Sequence, residues 1–209
     1  MGPGMKVAVL GGTGAFGTPL AARLVEAGMD VTIGSRDPER GAATAAEIGA
    51  TGGAGNADAV AGVDLAVLAV DATAALPTVF GLGAALDAPL LSVASELRIL
   101  EGSALPGPDP LSLAERIQQL VPQVPVLAGL HSLAASTLAK GKAEGDAFVC
   151  GDDAAAKASA LELAEALVTG RALDAGPLAS ARALEGMTAV IVNLNRTYRG
   201  HAGVQILGL

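Results

Sequence analysis

Short runs of consecutive apolar residues recur along the chain, bounded by Gly, Asp or Pro, and stretches with apolar positions at helical intervals fill the gaps between them. The strand candidates built on these runs are Lys6–Leu10, Val31–Ile33, Leu65–Val70, Leu90–Val93, Val124–Ala128 and Ala147–Cys150. Their β-branched and aliphatic content fits strands covered on both faces. Helices are predicted over Gly14–Ala27, Pro38–Ile48, Asn56–Ala61, Thr73–Leu86, Leu111–Leu120, Ser132–Lys140, Asp153–Thr169 and Ser180–Arg199. Thr73 reads as an N-cap and Gly170 as the residue that ends its helix. Met187, Val190, Ile191 and Leu194 form a stripe along the last and longest helix. This alternation predicts an α/β fold, a doubly wound and mostly parallel sheet with helices on both faces. Two stretches fit less simply. Thr51-Gly52-Gly53-Ala54-Gly55 stands where a third strand is due, but its glycines suit either a short edge strand or a loop. Ala104–Pro110 carries Pro106, Pro108 and Pro110 and is predicted to be a loop.

The first run leads straight into Gly11-Gly12-Thr13-Gly14-Ala15-Phe16-Gly17. Gly12, Gly14 and Gly17 have the G-x-G-x-x-G spacing that seats a dinucleotide pyrophosphate at a helix N-terminus. In that reading Gly12 permits a tight turn, Gly14 lets the backbone approach the phosphates, and Gly17 lets helix and strand pack closely. The alternative is a glycine turn without a ligand. The end of the second run decides between dinucleotides. An acidic side chain there would accept from the ribose 2′-hydroxyl, whereas this chain has Ser35 and Arg36, with Arg40 one helical turn on. A hydroxyl and two guanidinium groups suit a dianionic 2′-phosphate and favour NADP over NAD. The alternative for both arginines is a solvated helix start, and Asp37 can turn either toward or away from the site.

The 209 residues suit one domain with a small appendage, and 51% are hydrophobic, with aromatics at only 2%. Such a core needs close packing through small side chains. The net charge of −8 and the lack of a basic run argue against nucleic acid as a partner. No uninterrupted stretch reaches membrane-spanning length, and the N-terminus lacks a signal-peptide layout, so a cytoplasmic protein is expected. Met1–Gly4 reads as an expression remnant or an alternative start, with Met5 as the natural first residue. The one cysteine, Cys150, excludes an internal disulfide, offers no metal cluster, and fits a small buried hydrophobe at a strand end.

The C-terminal half adds four blocks. They are Leu130-His131-Ser132-Leu133-Ala134-Ala135, Val149-Cys150-Gly151-Asp152-Asp153, Leu173-Asp174-Ala175-Gly176-Pro177-Leu178, and Glu185 through Asn193. In this order behind Gly-Gly-Thr-Gly and Gly-Ser-Arg, they resemble the NADPH-dependent oxidoreductases of the deazaflavin coenzyme F420, over nearly the whole chain from Met5. The resemblance implies a Rossmann-type sheet with a small C-terminal helical part, usually as a homodimer. It also implies hydride transfer between NADP(H) and the deazaflavin, in either direction and without metal. On this basis residues 5–150 form the NADP-binding domain, and 151–209 complete the second-substrate cleft and the dimer interface. The resemblance assigns Thr13, Gly14, Ala15 and Phe16 to the phosphate turn. It gives Ser35, Arg36 and Arg40 to the 2′-phosphate, Val70 to the nicotinamide side, and Ala135 to the cofactor. His131, Thr188 and Ile191 fall near the deazaflavin. Thr13, His131 and Ile191 are the catalytic candidates. Archaeal members carry a Pro-aromatic pair where this chain has Asp71-Ala72-Thr73, and a Pro-rich loop where it has Ser92–Glu96.

Hydride transfer asks the protein to orient two rings and exclude water, so polar groups that position and apolar walls that press are the features of interest. His131 can serve as a neutral hydrogen-bonding imidazole or as a cation, or it can be purely structural. The Thr188 hydroxyl can reach a ligand or bond back to its own helix, and Ile191 is either a wall of the site or core. Lys140, Lys142, Arg196 and Arg199 either form a basic patch for the acidic tail of a deazaflavin or are scattered surface charge. His201 belongs to the surface or an interface. Two other functions fit the same residues. One is reduction of a small imine or ketone by NADPH, with His131 or Asp71 as proton donor. The other is non-catalytic NADP sensing.

Overall fold

A computed structural model describes residues 4–209. The expectation for Met1–Gly4 therefore falls almost wholly outside the described residues. The first half runs β1 (Lys6–Leu10), α1 (Gly17–Glu26), β2 (Asp30–Ser35), α2 (Pro38–Ile48), β3 (Gly52–Gly55), α3 (Asn56–Ala59), β4 (Leu65–Leu68), α4 (Ala72–Leu82) and β5 (Leu90–Ser92). The second half runs β6 (Leu97–Leu100), β7 (Ser103–Pro106), α5 (Leu113–Leu120), β8 (Val126–Gly129), α6 (Ala135–Leu138), β9 (Ala147–Gly151), α7 (Ala154–Leu167), β10 (Ala172–Asp174) and α8 (Ala181–Tyr198). Eight strands form one sheet in the order β10-β9-β8-β5-β4-β1-β2-β3. Every neighbouring pair is parallel except β8 with β9. The order reverses at β1, which pairs with β2 on one side and β4 on the other. That reversal opens a crevice beyond the strands' C-terminal ends, where ligands bind in such sheets.

The doubly covered sheet explains the unbroken apolar runs. Val7, Val9, Val31 and Ile33 face α1 and α7 through Leu20, Leu24, Leu163 and Leu167. Leu10, Leu68 and Leu90 face α4, α5 and α8 through Val79, Leu82, Ile117 and Leu184. Each fully buried leucine contributes about 1.5–3 kcal/mol of transfer free energy. Cys150 lies in this core on β9, and burial pushes its thiol up to about 11.

Several elements differ from the sequence pattern, each for a long-range reason. The glycine-rich segment at 52–55 is a true edge strand, because α2 lies directly on it. A Cβ on Gly53 would run into the Gly41 backbone. The predicted loop at Ala104–Pro110 is in part strand β7, the second arm of an antiparallel hairpin with β6. Pro106 is tolerated at its end because the hairpin has free edges. Thr73 is not a cap. Helix α4 starts at Ala72 after Asp71, whose side chain makes no capping bond. Gly170 does not end α7 either. The helix stops at Leu167, Val168 continues extended, and a Cβ on Gly170 would meet Gly145 and Asp146. Strand β10 is too short for its pattern to show, yet it joins the sheet edge beside β9.

The chain's last residues are strapped to this edge. The buried Asp146 carboxylate accepts from Ile206 N–H at 2.8 Å and from Arg171 Nη2 at 2.9 Å, and Arg171 donates onward to the Ile206 and Leu209 carbonyls. These bonds, the Arg171 contact foremost, hold the Asp146 pKa down at about 2. Helix α8 divides the predicted stripe: Ile191 is buried, while Val190 and Leu194 are exposed.

Candidate active site

A cleft of about 720 Å³ opens at the C-terminal ends of β1, β2 and β4. The predicted residues Thr13, Gly14, Ala15, Phe16, Ser35, Arg36, Arg40, Val70 and Ala135 all line it. Gly12 and Gly17 do not, and their work is structural. Gly12 N–H donates to the carbonyls of Val9 and Gly34, both at 3.1 Å, and a Cβ on Gly17 would collide with the Gly11 carbonyl. The tight turn assigned to Gly12 is made by Gly11 instead. Gly11 has φ +77°, and a Cβ there would lie 2.6 Å from the Ala69 carbonyl oxygen. The chain must reverse immediately after the strand, and only glycine enters the left-handed region there without strain. Gly14 is different. The only neighbour a Cβ would meet within 4 Å is the Gly11 carbonyl, at 3.1 Å. Any larger side chain would therefore grow into the cleft.

At the far side Asp37 resolves its ambiguity by capping α2, its Oδ1 accepting from Glu39 N–H at 3.1 Å and Arg40 N–H at 3.2 Å. The carboxylate is thereby drawn into the helix start. Ser35 Oγ accepts from Asp37 N–H at 3.1 Å, which leaves the hydroxyl proton free to donate to a ligand. Arg40 Nη2 donates to the Thr13 carbonyl at 3.1 Å, joining α2 to the phosphate turn, and Arg36 is exposed at the same mouth. One end of the cleft is therefore cationic. The other is apolar, walled by Val70, Val93 and Ala135, with Asp71 at the rim. Sequence reasoning missed several of the lining residues, among them Gly11, Asn56, Ala69, Ala74, Thr78 and Val93. Asn56 follows β3, and the glycine-rich sequence around it hid that strand.

His131, Thr188 and Ile191 do not line the cleft itself. His131 and Thr188 meet behind its apolar end, where α8 reaches the loops after β5 and β8, and Ile191 is buried one helical turn further along α8. The Thr188 hydroxyl donates to the His131 carbonyl at 3.0 Å and lies 2.7 Å from Ser95 Oγ. It bonds neither its own helix nor open space. His131 follows Leu130, which is held at φ +64°, a strained conformation for a branched residue. The imidazole is almost fully buried, and neither ring nitrogen makes a hydrogen bond. Desolvation pushes its pKa down to about 4, against a partial opposing pull from the Ala94 backbone. Near neutral pH the ring is therefore uncharged.

The Ser92–Glu96 loop is built for support. Ser95 meets Thr188, and Glu96 pairs with Arg116 at 2.6 Å. Asn193 on α8 clasps the hairpin by donating to the Ala104 carbonyl and accepting its N–H, both at 2.8 Å. Glu185 accepts from the N–H groups of Leu113 and Ala114 at the start of α5, and burial raises its pKa. Lys140, Lys142 and His201 share a separate hollow of about 280 Å³. Arg196 donates to the Gly102 carbonyl on the hairpin, and Arg199 is exposed at the end of α8. Among the described residues no group of three His, Cys, Asp or Glu is placed to hold a metal, and no helix is long and apolar enough to cross a membrane.

Comparison with known proteins adds to this geometry. Residues 6–95 match the family described as NADP oxidoreductase coenzyme F420-dependent. A protein named F420-dependent NADP reductase from Methanothermobacter marburgensis is 35% identical over 222 aligned residues, spanning 98% of this chain and 99% of that protein. The crystal structure of a candidate F420-dependent NADP-reductase from Arthrobacter sp. FB24 superposes with a TM-score of 0.84 at 31% identity, covering 98% of this chain and 100% of that one. An imine reductase from Aspergillus terreus shares the fold alone, with a TM-score of 0.67 at 18% identity over 95% of this chain and 64% of its own.

Proposed function

The chain belongs to the coenzyme F420-dependent NADP oxidoreductases, and from that membership we propose how its residues serve hydride transfer between NADP(H) and the deazaflavin. When bound, the nicotinamide and the deazaflavin supply the redox chemistry. The residues present fit a dinucleotide: Gly14 leaves open the space a pyrophosphate needs, and Ser35, Arg36 and Arg40 converge on the cationic mouth. That convergence, with Asp37 withdrawn into its helix cap, is the observation that carries the NADP assignment.

The phosphate turn Thr13–Phe16 and the glycines beneath it hold the pyrophosphate. Val70, Val93 and Ala135 press on the nicotinamide and exclude water. His131, buried and uncharged behind the apolar end, backs the deazaflavin side of the cleft as a positioning residue. Thr188 fixes the His131 carbonyl, and Ile191 backs the same wall. Thr13 contributes a hydroxyl on the turn. The protein's task is to bring the reacting carbons within about 3–3.5 Å. The division expected at residue 150 falls inside β9, so the NADP-binding part (5–150) and the part that completes the second-substrate side (151–209) share one sheet. A homodimer through the exposed Val190, Leu194 and Tyr198 of α8, with Ile99 and Leu100 of the hairpin, would cover apolar surface that otherwise faces water. A cytoplasmic enzyme fits this reading.

The test is anaerobic mixing with NADPH deuterated on one face of the nicotinamide. Label should appear at the deazaflavin C5 from one face only, because a fixed ring stack exposes one face. Tight NADPH binding with no deazaflavin reduction from mildly acidic to mildly basic pH would overturn the assignment.

A further inference from the structure

Asn56 stands in the cleft with no partner for its side chain. It lines the dinucleotide cleft, its Oδ1 is sealed from solvent without a hydrogen bond, and Nδ2 is not sealed in this way. A polar atom left in that state is costly unless the amide has work to do. Its place in the sheet says what work. Ser35 on β2 is level with Gly55 on β3, so Asn56 stands one residue further along, level with Arg36. Gly34 makes room for it: a Cβ on Gly34 would lie 3.0 Å from Asn56 Oδ1 and 2.7 Å from a Leu10 methyl. The oxygen is thus turned toward the Gly34 backbone, which leaves Nδ2 as the end available to the cleft.

We propose that Asn56 is a specificity-determining residue, its Nδ2 donating to the 2′-phosphate of NADP alongside Ser35, Arg36 and Arg40. This rests on the NADP reading of the cleft. A neutral donor is what the position requires, since a carboxylate of the same shape would repel the dianion. The same carboxylate would accept from a free ribose 2′-hydroxyl, so the choice of amide over acid at this position favours one dinucleotide.

The test is calorimetric titration of the whole protein with NADP+ and with NAD+, in the absence of deazaflavin. Asn56→Asp should weaken NADP+ by about tenfold or more and leave NAD+ unchanged or tighter. Asn56→Ala should weaken NADP+ selectively but less, and it carries the test alone if the aspartate variant does not fold. Equal loss for both dinucleotides would mean Asn56 touches a part they share, and no loss would mean it touches neither; either result overturns the proposal. Failure of the underlying reading is distinguishable, because the unaltered protein would then bind neither dinucleotide or show no preference.

Discussion

Acidification should expose His131 as a burden on the folded state. The unfolded chain takes up a proton on this residue near 6.5, whereas burial holds the folded imidazole at about 4. Between those values the unfolded state binds more protons, so stability falls as pH falls. The contribution is fully present above pH 6.5 and is lost as pH drops through about 4. The shift corresponds to roughly 3 kcal/mol, a large share of a domain's usual 5–15 kcal/mol. Urea unfolding at intervals from pH 7.5 to 4, on the unaltered protein and on His131→Gln, measures it. The variant should lose about 3 kcal/mol less stability across that interval. Glu185 acts in the opposite sense, since its raised pKa gives stability at low pH that is lost as pH rises. It cancels in the difference between the two proteins. Parallel slopes for protein and variant would refute the claim that the imidazole is buried neutral, and with it the uncharged backing proposed for the deazaflavin side.

Arg36→Ala should raise the Michaelis constant for NADPH about tenfold or more, the loss of one charge-assisted contact, and leave that for NADH nearly unchanged; an equal rise for both would make Arg36 structural. Gly14→Val should abolish dinucleotide binding while the thermal midpoint stays close to that of the unaltered protein, because the added side chain enters the cleft rather than the core; normal NADPH binding would remove the turn from the phosphate site. Arg171→Ala should release the C-terminal strap and return the Asp146 carboxyl toward its ordinary value. Asp146 stabilises the fold above pH 3.8, and this is lost as pH falls through about 2, so the variant should unfold at higher pH in an acid titration. An unchanged acid midpoint would count against that ion pair.

Whatever depends on a residue and its near neighbours could be read from the chain alone. Consecutive apolar residues at Val7–Leu10 and Leu65–Leu68 escape water only by being covered on both faces, so the doubly wound sheet was legible. The Gly11–Gly17 turn was legible because backbone sterics act over a few residues, and Ser35, Arg36 and Arg40 because helical spacing puts them at one mouth. Tertiary structure decided the rest. Gly52–Gly55 is a strand because Gly41 of α2 packs on it, and residues 103–106 are a strand because 97–100 lie alongside. Thr188 bonds a carbonyl 57 residues away, and Asn193 clasps a strand 89 residues away. The burial that neutralises His131, and the empty place beside Gly34 that receives Asn56, are properties of several elements meeting. Local propensity is written into neighbouring side chains, but desolvation and long-range hydrogen bonds exist only once the chain has closed on itself.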